Sequence, residues 1–140
     1  CRGRGYNTVL RTNHTACNAE TSIYVGDTMG ELPLLYAASD VAFVGGSLVA
    51  SGGHNLLEPA ALGIPVVTGP QVSNFIEICS LLVDAGAAVQ VADTDELQQV
   101  VSRWLGDANE RHRVGQLGRD VVEKNRGALQ AVMAMIEQYL

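Results

Sequence analysis

Short apolar runs alternate along this chain with segments whose apolar residues recur at helical spacing. Four runs read as β-strands, at 23–25, 41–44, 65–67 and 88–91, and 8–10 is a candidate fifth. Helical segments lie between them at 31–38, 56–62 and 75–85, and a further amphipathic stretch follows from 97 to 105. Strands that alternate with helices connect by right-handed crossovers into a parallel sheet. The sequence therefore predicts an α/β fold, a parallel sheet with helices on both faces.

The length and charge of the chain restrict its class further. With 140 residues, 47% of them apolar, the sequence suits a single domain covering 1–140. Because it begins at Cys1 rather than Met, we expect a piece of a longer protein. The formal net charge of −6 argues against a nucleic-acid surface, which needs clustered Lys and Arg. Arg2, Arg4 and Arg11 form a basic N-terminal stretch that we interpret as a solvated segment.

Cysteine spacing and hydropathy indicate the setting of the domain. Cys1, Cys17 and Cys79 form no C-x-x-C pair, so the sequence predicts neither a zinc site nor a disulfide framework. Reduced thiols in a cytoplasmic setting fit this pattern better. Since no apolar run reaches the ~20 residues that span a bilayer, we expect these residues to be soluble.

The C-terminal tail reads as helix from Asp107 onward. The helical pattern is interrupted at 125–127 and resumes with Leu129, Val132 and Ile136. Gly127 is therefore predicted to end one helix as a left-handed cap or to kink the pair.

The most informative junction runs from the apolar strand 41–44 through glycines into a helix that starts at Asn55. Glycines allow close backbone approach, and the first helical turn offers unpaired N–H groups, so an anionic ligand fits there. Asn55-x-x-Glu58 also matches a capping box, in which the two side chains satisfy backbone N–H groups. In the functional alternative, Asn55 contacts a phosphate and Glu58 accepts hydrogen bonds from two ribose hydroxyls. The preceding glycine pair, which includes Gly53, favours a ligand.

A second junction of the same kind follows the strand 23–25. Thr28-x-x-Glu31 again matches a capping box, and Gly30 in a helical first turn is unfavourable unless something lies close to the backbone. Two such helix starts at the carboxyl ends of strands could form two walls of one crevice. Two ordinary capped helices are the alternative.

Three further motifs carry weaker signals. His54 lacks a carboxylate or serine partner at a suitable spacing, so we interpret it as structural or as a polar contact. Ser47 lacks the final glycine of a nucleophile elbow and is either a hydroxyl donor to a ligand or a turn residue. Asp93-Thr94-Asp95 resembles a metal-binding D-x-D motif, but Glu96 three residues after Asp93 predicts a helix cap and no metal. A dinucleotide fingerprint is absent from the sequence.

Together these segments resemble a specific family, the Kdo transferases, which move 3-deoxy-D-manno-octulosonic acid (Kdo) from CMP-Kdo to the lipid A precursor. The matching segments are 26–32 (GDTMGEL), 35–40 (LYAASD), 43–48 (FVGGSL), 52–67 (GGHNLLEPAALGIPVV), 69–70 (GP), 74–75 (NF) and 125–129 (NRGAL). Each motif alone is weak, whereas all of them in this order are highly specific. The resemblance implies a Rossmann-like domain, the C-terminal half of a GT-B glycosyltransferase.

The resemblance also implies a donor site. CMP would be contacted by two groups of residues, with Ser47, Gly53 and His54 as additional candidates; the two groups are Met29, Gly30, Glu31 and Asn55, Leu56, Leu57, Glu58. A single phosphate needs no metal, and no cofactor is implied. The catalytic base, a glutamate in the family, would belong to the N-terminal half, so we expect no catalytic residue here and no activity from this piece alone.

The implied partners are CMP-Kdo and, through the N-terminal half, the lipid A precursor. The implied location is the cytoplasmic side of the bacterial inner membrane, with the full enzyme peripheral or N-terminally anchored.

Two alternatives to a Kdo transferase remain open. One is a sugar-nucleotide 2-epimerase of the same architecture, which would prefer UDP, and the other is a non-catalytic nucleotide-sensing or protein-docking module.

Overall fold

A computed structural model of the chain describes the backbone of residues 1–137 and the side chains of residues 1 and 3–126. The chain divides into two compact units, Cys1–Leu35 and Tyr36–Leu140, and each is described here by itself.

The N-terminal unit contains a two-stranded parallel sheet. Strand β1 covers Thr8–Leu10 and β2 covers Ile23–Val25, with Val9 paired to Tyr24 at the centre of the register. A 3₁₀ turn at Arg11–Asn13 follows β1 directly. The candidate strand at 8–10 is therefore a strand, and it pairs with the strand expected at 23–25.

The second unit contains a three-stranded parallel sheet with strand order β3-β4-β5. Each strand has three residues; the central strand is fully buried, as expected for a continuous apolar run, whereas Phe43 and Gln90 in the outer strands are exposed. They are β3 (Ala42–Val44), β4 (Val66–Thr68) and β5 (Ala88–Gln90), connected by helices α2 (Leu57–Ala61) and α3 (Ile76–Asp84). Consecutive strands, each pair connected by one helix, therefore lie side by side and parallel, as the alternating pattern predicts.

Residues 1–137 contain three further α-helices. Helix α1 covers Leu32–Ala37, α4 covers Thr94–Gly106 and α5 covers Ala108–Glu137. Asp93 caps α4, since its carboxylate accepts the N–H groups of Asp95 and Glu96 at 2.9 and 3.0 Å.

Helices cover both faces of the three-stranded sheet. Neighbouring residues of a strand point to opposite faces, so consecutive apolar residues pack against different helices. Val66 packs in a cluster with Leu56 of the α2 start and Leu82 of α3. Val67, the next residue of the same strand, packs in a second cluster with Trp104 of α4. The expected parallel α/β architecture, with helices on both faces, is therefore confirmed.

A close backbone contact joins α5 to the turn after α2. A Cβ atom built on Gly115 would collide with the carbonyl oxygen of Gly63, and one built on Gly118 would lie 3.3 Å from the Cβ of Ala60. Since only glycine leaves room at the first of these positions, the sequence of α5 sets how closely it approaches α2.

The predicted helix end at Gly127 is wrong, whereas the alternative, a kink at this residue, stays a prediction. Helix α5 continues through 125–127 to Glu137. A single glycine costs a helix only about 1 kcal/mol relative to alanine, and the good helix formers Ala128 and Leu129 follow it. On the preceding turn, the Asn125 carboxamide donates to the Val121 carbonyl at 2.8 Å, four residues back along the helix.

Among the helices found in residues 1–137, none has both the length and the apolar character needed to cross a bilayer.

Candidate functional site

The segment between β3 and α2 is a loop with an internal backbone hydrogen bond and a second backbone hydrogen bond to the loop after β4. The Gly53 N–H donates to the Gly46 carbonyl at 3.1 Å, and the Asn74 N–H donates to the Gly52 carbonyl at 3.2 Å. Gly53 has a φ of +74°, and a Cβ built there would lie 3.2 Å from the carbonyl oxygen of Gln71. A side chain at this position would be strained by its backbone conformation and crowded as well.

Ser47 holds the two loops together from inside. Its hydroxyl donates to the Val44 carbonyl at 2.6 Å and accepts the Gly69 N–H at 2.8 Å, and its own carbonyl accepts the Gln71 N–H at 2.8 Å. The Ser47 side chain is fully buried. Ser47 thus acts as a turn residue, because its hydroxyl serves the protein's own backbone, and its contact with CMP stays a prediction.

Asn55 and Glu58 bond to each other and to the start of α2. The Asn55 carboxamide oxygen accepts the Leu57 N–H at 3.0 Å, and its nitrogen donates to Glu58 Oε1 at 3.3 Å. This is capping of one backbone donor rather than the reciprocal box, since Glu58 bonds the side chain of Asn55 and not its backbone. The N–H groups of Leu56 and Glu58 lie outside this Asn55 bond.

The neighbours of this pair differ sharply in exposure. The Leu56 side chain is fully buried in the core, so a ligand can meet only its backbone. His54 is exposed, and its ring lies over Gly46, 3.4 Å from where a Cβ would be. Burial, with a smaller effect of the Glu58 carboxylate, raises the pKa of Tyr36.

A cavity of about 510 Å³ lies beside Asn55 and Glu58. Its volume is in the range of small-molecule sites, and such sites are mostly apolar with a few polar groups. The lining comes from α2, α3 and α5 together with Asn55, and consists of Asn55, Leu57, Glu58, Ala61, Ile78, Leu81, Val122, Asn125 and Arg126.

In the N-terminal unit, the loop between β2 and α1 contains Glu31, whose carboxylate is held by hydrogen bonds from two side chains. Arg11 donates from Nε and Nη2 to Glu31 Oε1 at 3.2 and 2.9 Å, while the Thr28 hydroxyl donates to Glu31 Oε2. These contacts, Thr28 first and Arg11 second, lower the pKa of Glu31, and the contact with Glu31 raises the pKa of Arg11. The Glu31 carbonyl accepts the N–H of Leu35 and so begins α1.

Thr28 and Glu31 therefore do not form the capping box that their spacing suggests, because their side chains bond each other. Gly30 lies ahead of the helix rather than in its first turn, with φ of +82° and open space around it. Its left-handed conformation explains the glycine without any close neighbour. Met29, just before it, is 97% exposed.

A second carboxylate clamp lies next to the first. The Thr12 N–H and hydroxyl donate to the two oxygens of Asp27 at 3.0 and 2.6 Å, which lowers the pKa of Asp27. Thr12 follows β1 and Asp27 follows β2, so the pair joins the two carboxyl ends of the sheet.

The sequence interpretation missed Arg11. The sequence pattern places Arg11 in a solvated segment, whereas the structure pairs it with Glu31. The available signal was its position immediately after β1, because the carboxyl ends of adjacent parallel strands meet at one edge. Met29–Glu31 belong to the first unit and Asn55–Glu58 to the second, so their union in one nucleotide site stays a prediction.

The acidic run at 93–95 acts as the expected helix cap, with Glu96 also accepting the Ala92 N–H at 2.8 Å. Over the portion of the chain that the structure describes, no group of three His, Cys, Asp or Glu side chains is placed to hold a metal ion.

Comparison with known proteins identifies the family. The family described as glycosyl transferases group 1 matches residues 5–121 of the chain.

Individual relatives show which enzymes of this family the chain resembles. The chain is 44% identical over 133 residues to the 3-deoxy-D-manno-octulosonic acid transferase of Haemophilus influenzae, covering 94% of this chain and 31% of that protein. It is 35% identical over 118 residues to the enzyme of the same name from Bordetella pertussis, covering 84% and 28%. The chain thus spans about a third of the length of these relatives.

A solved structure agrees with the sequence relatives. The crystal structure of the C-terminal CMP-Kdo binding domain of WaaA from Acinetobacter baumannii superimposes with a TM-score of 0.77 at 38% identity, over 87% of this chain and 64% of that one. The chain therefore belongs to the group 1 glycosyl transferases, and within them it is a relative of the 3-deoxy-D-manno-octulosonic acid transferases.

Proposed function

We propose that this chain binds the donor CMP-Kdo as the C-terminal half of a Kdo transferase with the GT-B architecture. The observation that carries the proposal is its likeness, at 38% identity, to a domain described as binding CMP-Kdo. The segments behind the sequence resemblance include both loops described above. The cavity beside Asn55 and Glu58 adds a concave, mostly apolar surface of suitable volume.

In this proposal the start of α2 binds the nucleotide. The phosphate takes the N–H groups of Leu56 and Glu58, which the Asn55 side chain leaves outside its own bond. The exposed Glu58 carboxylate accepts the two ribose hydroxyls, one on each oxygen, with Asn55 orienting it from Oε1. The loop Met29–Glu31 supplies the second set of contacts to CMP.

The proposed reaction is a displacement at the anomeric carbon of Kdo. An acceptor hydroxyl forms the new C–O bond as the bond from that carbon to the CMP phosphate oxygen breaks, and a base takes the hydroxyl proton. We place that base, a carboxylate, in the other half of the enzyme. This half stabilises the charge that grows on the departing phosphate, through the backbone N–H groups at α2. The proposal needs neither a metal ion nor a cofactor.

Membership of this family also supports a proposal for the acceptor and the location. We propose that the full enzyme uses the lipid A precursor, in lipopolysaccharide synthesis at the cytoplasmic face of the inner membrane. The acceptor contacts would then lie outside this chain, which alone should bind the donor nucleotide and catalyse nothing.

Titration of CMP into the isotopically labelled chain tests the proposal. Backbone amide signals of residues 29–31 and 55–58 should shift together, with the same binding curve, and EDTA should not change the affinity. UDP should bind more weakly; a preference for UDP would favour the epimerase alternative. Shifts confined to other regions, or none at millimolar CMP, would overturn the site.

A further inference from the structure

We infer that Arg11 is a positioning residue of the donor site, acting through the carboxylate of Glu31. The inference rests on the proposed function, and it adds Arg11 to the residues that the family resemblance implies for the donor site.

The geometry of the contact is that of a fixed pair. Two guanidinium nitrogens of Arg11 reach the same oxygen of Glu31, at 2.9 and 3.2 Å, and the Thr28 hydroxyl takes the other oxygen. The two side chains are only 35% and 30% exposed. Both oxygens of the carboxylate are thus engaged by the protein, so Glu31 is held in one orientation.

The loop that Glu31 closes depends on this pair. Met29 and Gly30 precede Glu31, and the Glu31 carbonyl begins α1. Gly30 adopts a left-handed conformation, and a Cβ built on it would meet nothing within 4 Å beyond its chain neighbours, so no packed side chain holds that side of it. The side-chain contacts of Glu31 to Arg11 and Thr28 therefore fix the end of the loop at which the ligand would bind.

Charge gives the pair a second effect. CMP carries a phosphate, and two carboxylates, Asp27 and Glu31, lie in this loop with their pKa values lowered. Thr12 meets Asp27 with neutral donors, whereas Arg11 places a cation directly on Glu31. Without Arg11, an uncompensated negative charge would stand beside an anionic ligand. Arg11 also lies 3.3 Å from His14 Nδ1, which comes from the same turn.

Binding measurements on a short series of variants test the inference. R11Q should weaken CMP binding about tenfold, the scale of one charge-assisted contact. R11K should keep most of the affinity, because it retains the cation on Glu31. The double variant R11Q/E31Q should bind CMP more tightly than R11Q and about as well as E31Q alone, since the unpaired carboxylate is gone. The matched control is R4Q, which removes the same charge from an exposed arginine of the same unit and should bind as the unchanged chain does.

Two outcomes would overturn the inference. If R11Q weakens binding by the same factor in the E31Q background as in the unchanged chain, Arg11 contacts the ligand directly. If the amide signals of residues 29–31 in the nucleotide-free protein are the same in R11Q as in the unchanged chain, Arg11 does not hold the loop. The second readout needs no CMP, so it separates failure of this inference from failure of the proposed donor.

Discussion

At the scale of single residues, Glu58 is the side chain whose two candidate roles differ most. Its bond to Asn55 joins two side chains and leaves the helix backbone to Asn55 itself. A glutamine can still accept that bond, but it offers a ribose one neutral acceptor instead of a charged pair.

E58Q should therefore cost little stability and much affinity. We expect the free energy of unfolding to change by less than about 0.5 kcal/mol, as for other exposed positions. CMP affinity should fall about tenfold or more, since hydrogen bonds to a charged group contribute about 1.5–3 kcal/mol. Urea unfolding and CMP titration measure the two effects.

A matched control is E77Q, which removes an exposed acid from the first turn of α3. It should leave CMP affinity unchanged. If E58Q instead lowers stability strongly and leaves the affinity of the folded protein intact, Glu58 is a cap and not a ribose ligand.

The ionisation of Glu31 gives a pH dependence. Thr28 and Arg11 lower its folded-state pKa, so this carboxylate stabilises the N-terminal unit fully above its ordinary pKa and loses that effect as pH falls through the lowered value. The Glu31 carboxyl carbon shift, followed by NMR from neutral to acidic pH, should titrate below the usual glutamate range. R11Q should move that midpoint upward, and an unchanged midpoint would contradict the pairing.

Arg11 also marks where residue-level prediction fails. Asn55 and Glu58 could be selected from the sequence because their partners lie three residues apart on one local segment. Arg11 and Glu31 lie twenty residues apart, and their contact depends on β1 pairing with β2 in a particular register. Charge counting along the sequence cannot supply that register.

At the scale of elements, the contact between α5 and the turn after α2 is possible because Gly115 has no side chain. Gly115 lies where a Cβ would overlap the Gly63 carbonyl, a backbone atom that cannot rotate away. We expect G115A to destabilise the protein by about 1–3 kcal/mol, the usual cost of overpacking, despite the better helix propensity of alanine. Chemical unfolding measures this change.

G106A is the matched control for helix propensity. Gly106 ends α4, and a Cβ there meets nothing within 4 Å. This substitution should be neutral or stabilising by up to about 1 kcal/mol. If both variants behave alike, helix α5 can withdraw from Gly63 without cost and the contact does not set its position.

The elements were predictable because their signals are local. All five strands lie within one residue of the runs in the sequence, since each is a short apolar run bounded by turn residues. Whether the helix ends at Gly127 could not be decided from local sequence. Glycine both ends helices and is tolerated inside them, so the choice at that position depends on what surrounds it along α5.

At the scale of the whole molecule, charge decides which polymers can bind. The chain carries 15 acidic and 9 basic side chains. With Arg11 engaged by Glu31, the basic N-terminal stretch has one cation fewer to offer a phosphate backbone. We therefore expect no binding of labelled RNA or DNA by fluorescence anisotropy at low salt. Salt-sensitive binding that disappears in R4Q would show the opposite.

The hydrogen bonds that Ser47 and Gly52 make across to the loop after β4 have a kinetic consequence. A segment fastened at several points spends little of its time in other shapes, so an incoming nucleotide meets a surface that is already formed there. Association at this loop should then follow a single concentration-dependent phase, limited by encounter rather than by a rearrangement of the glycines.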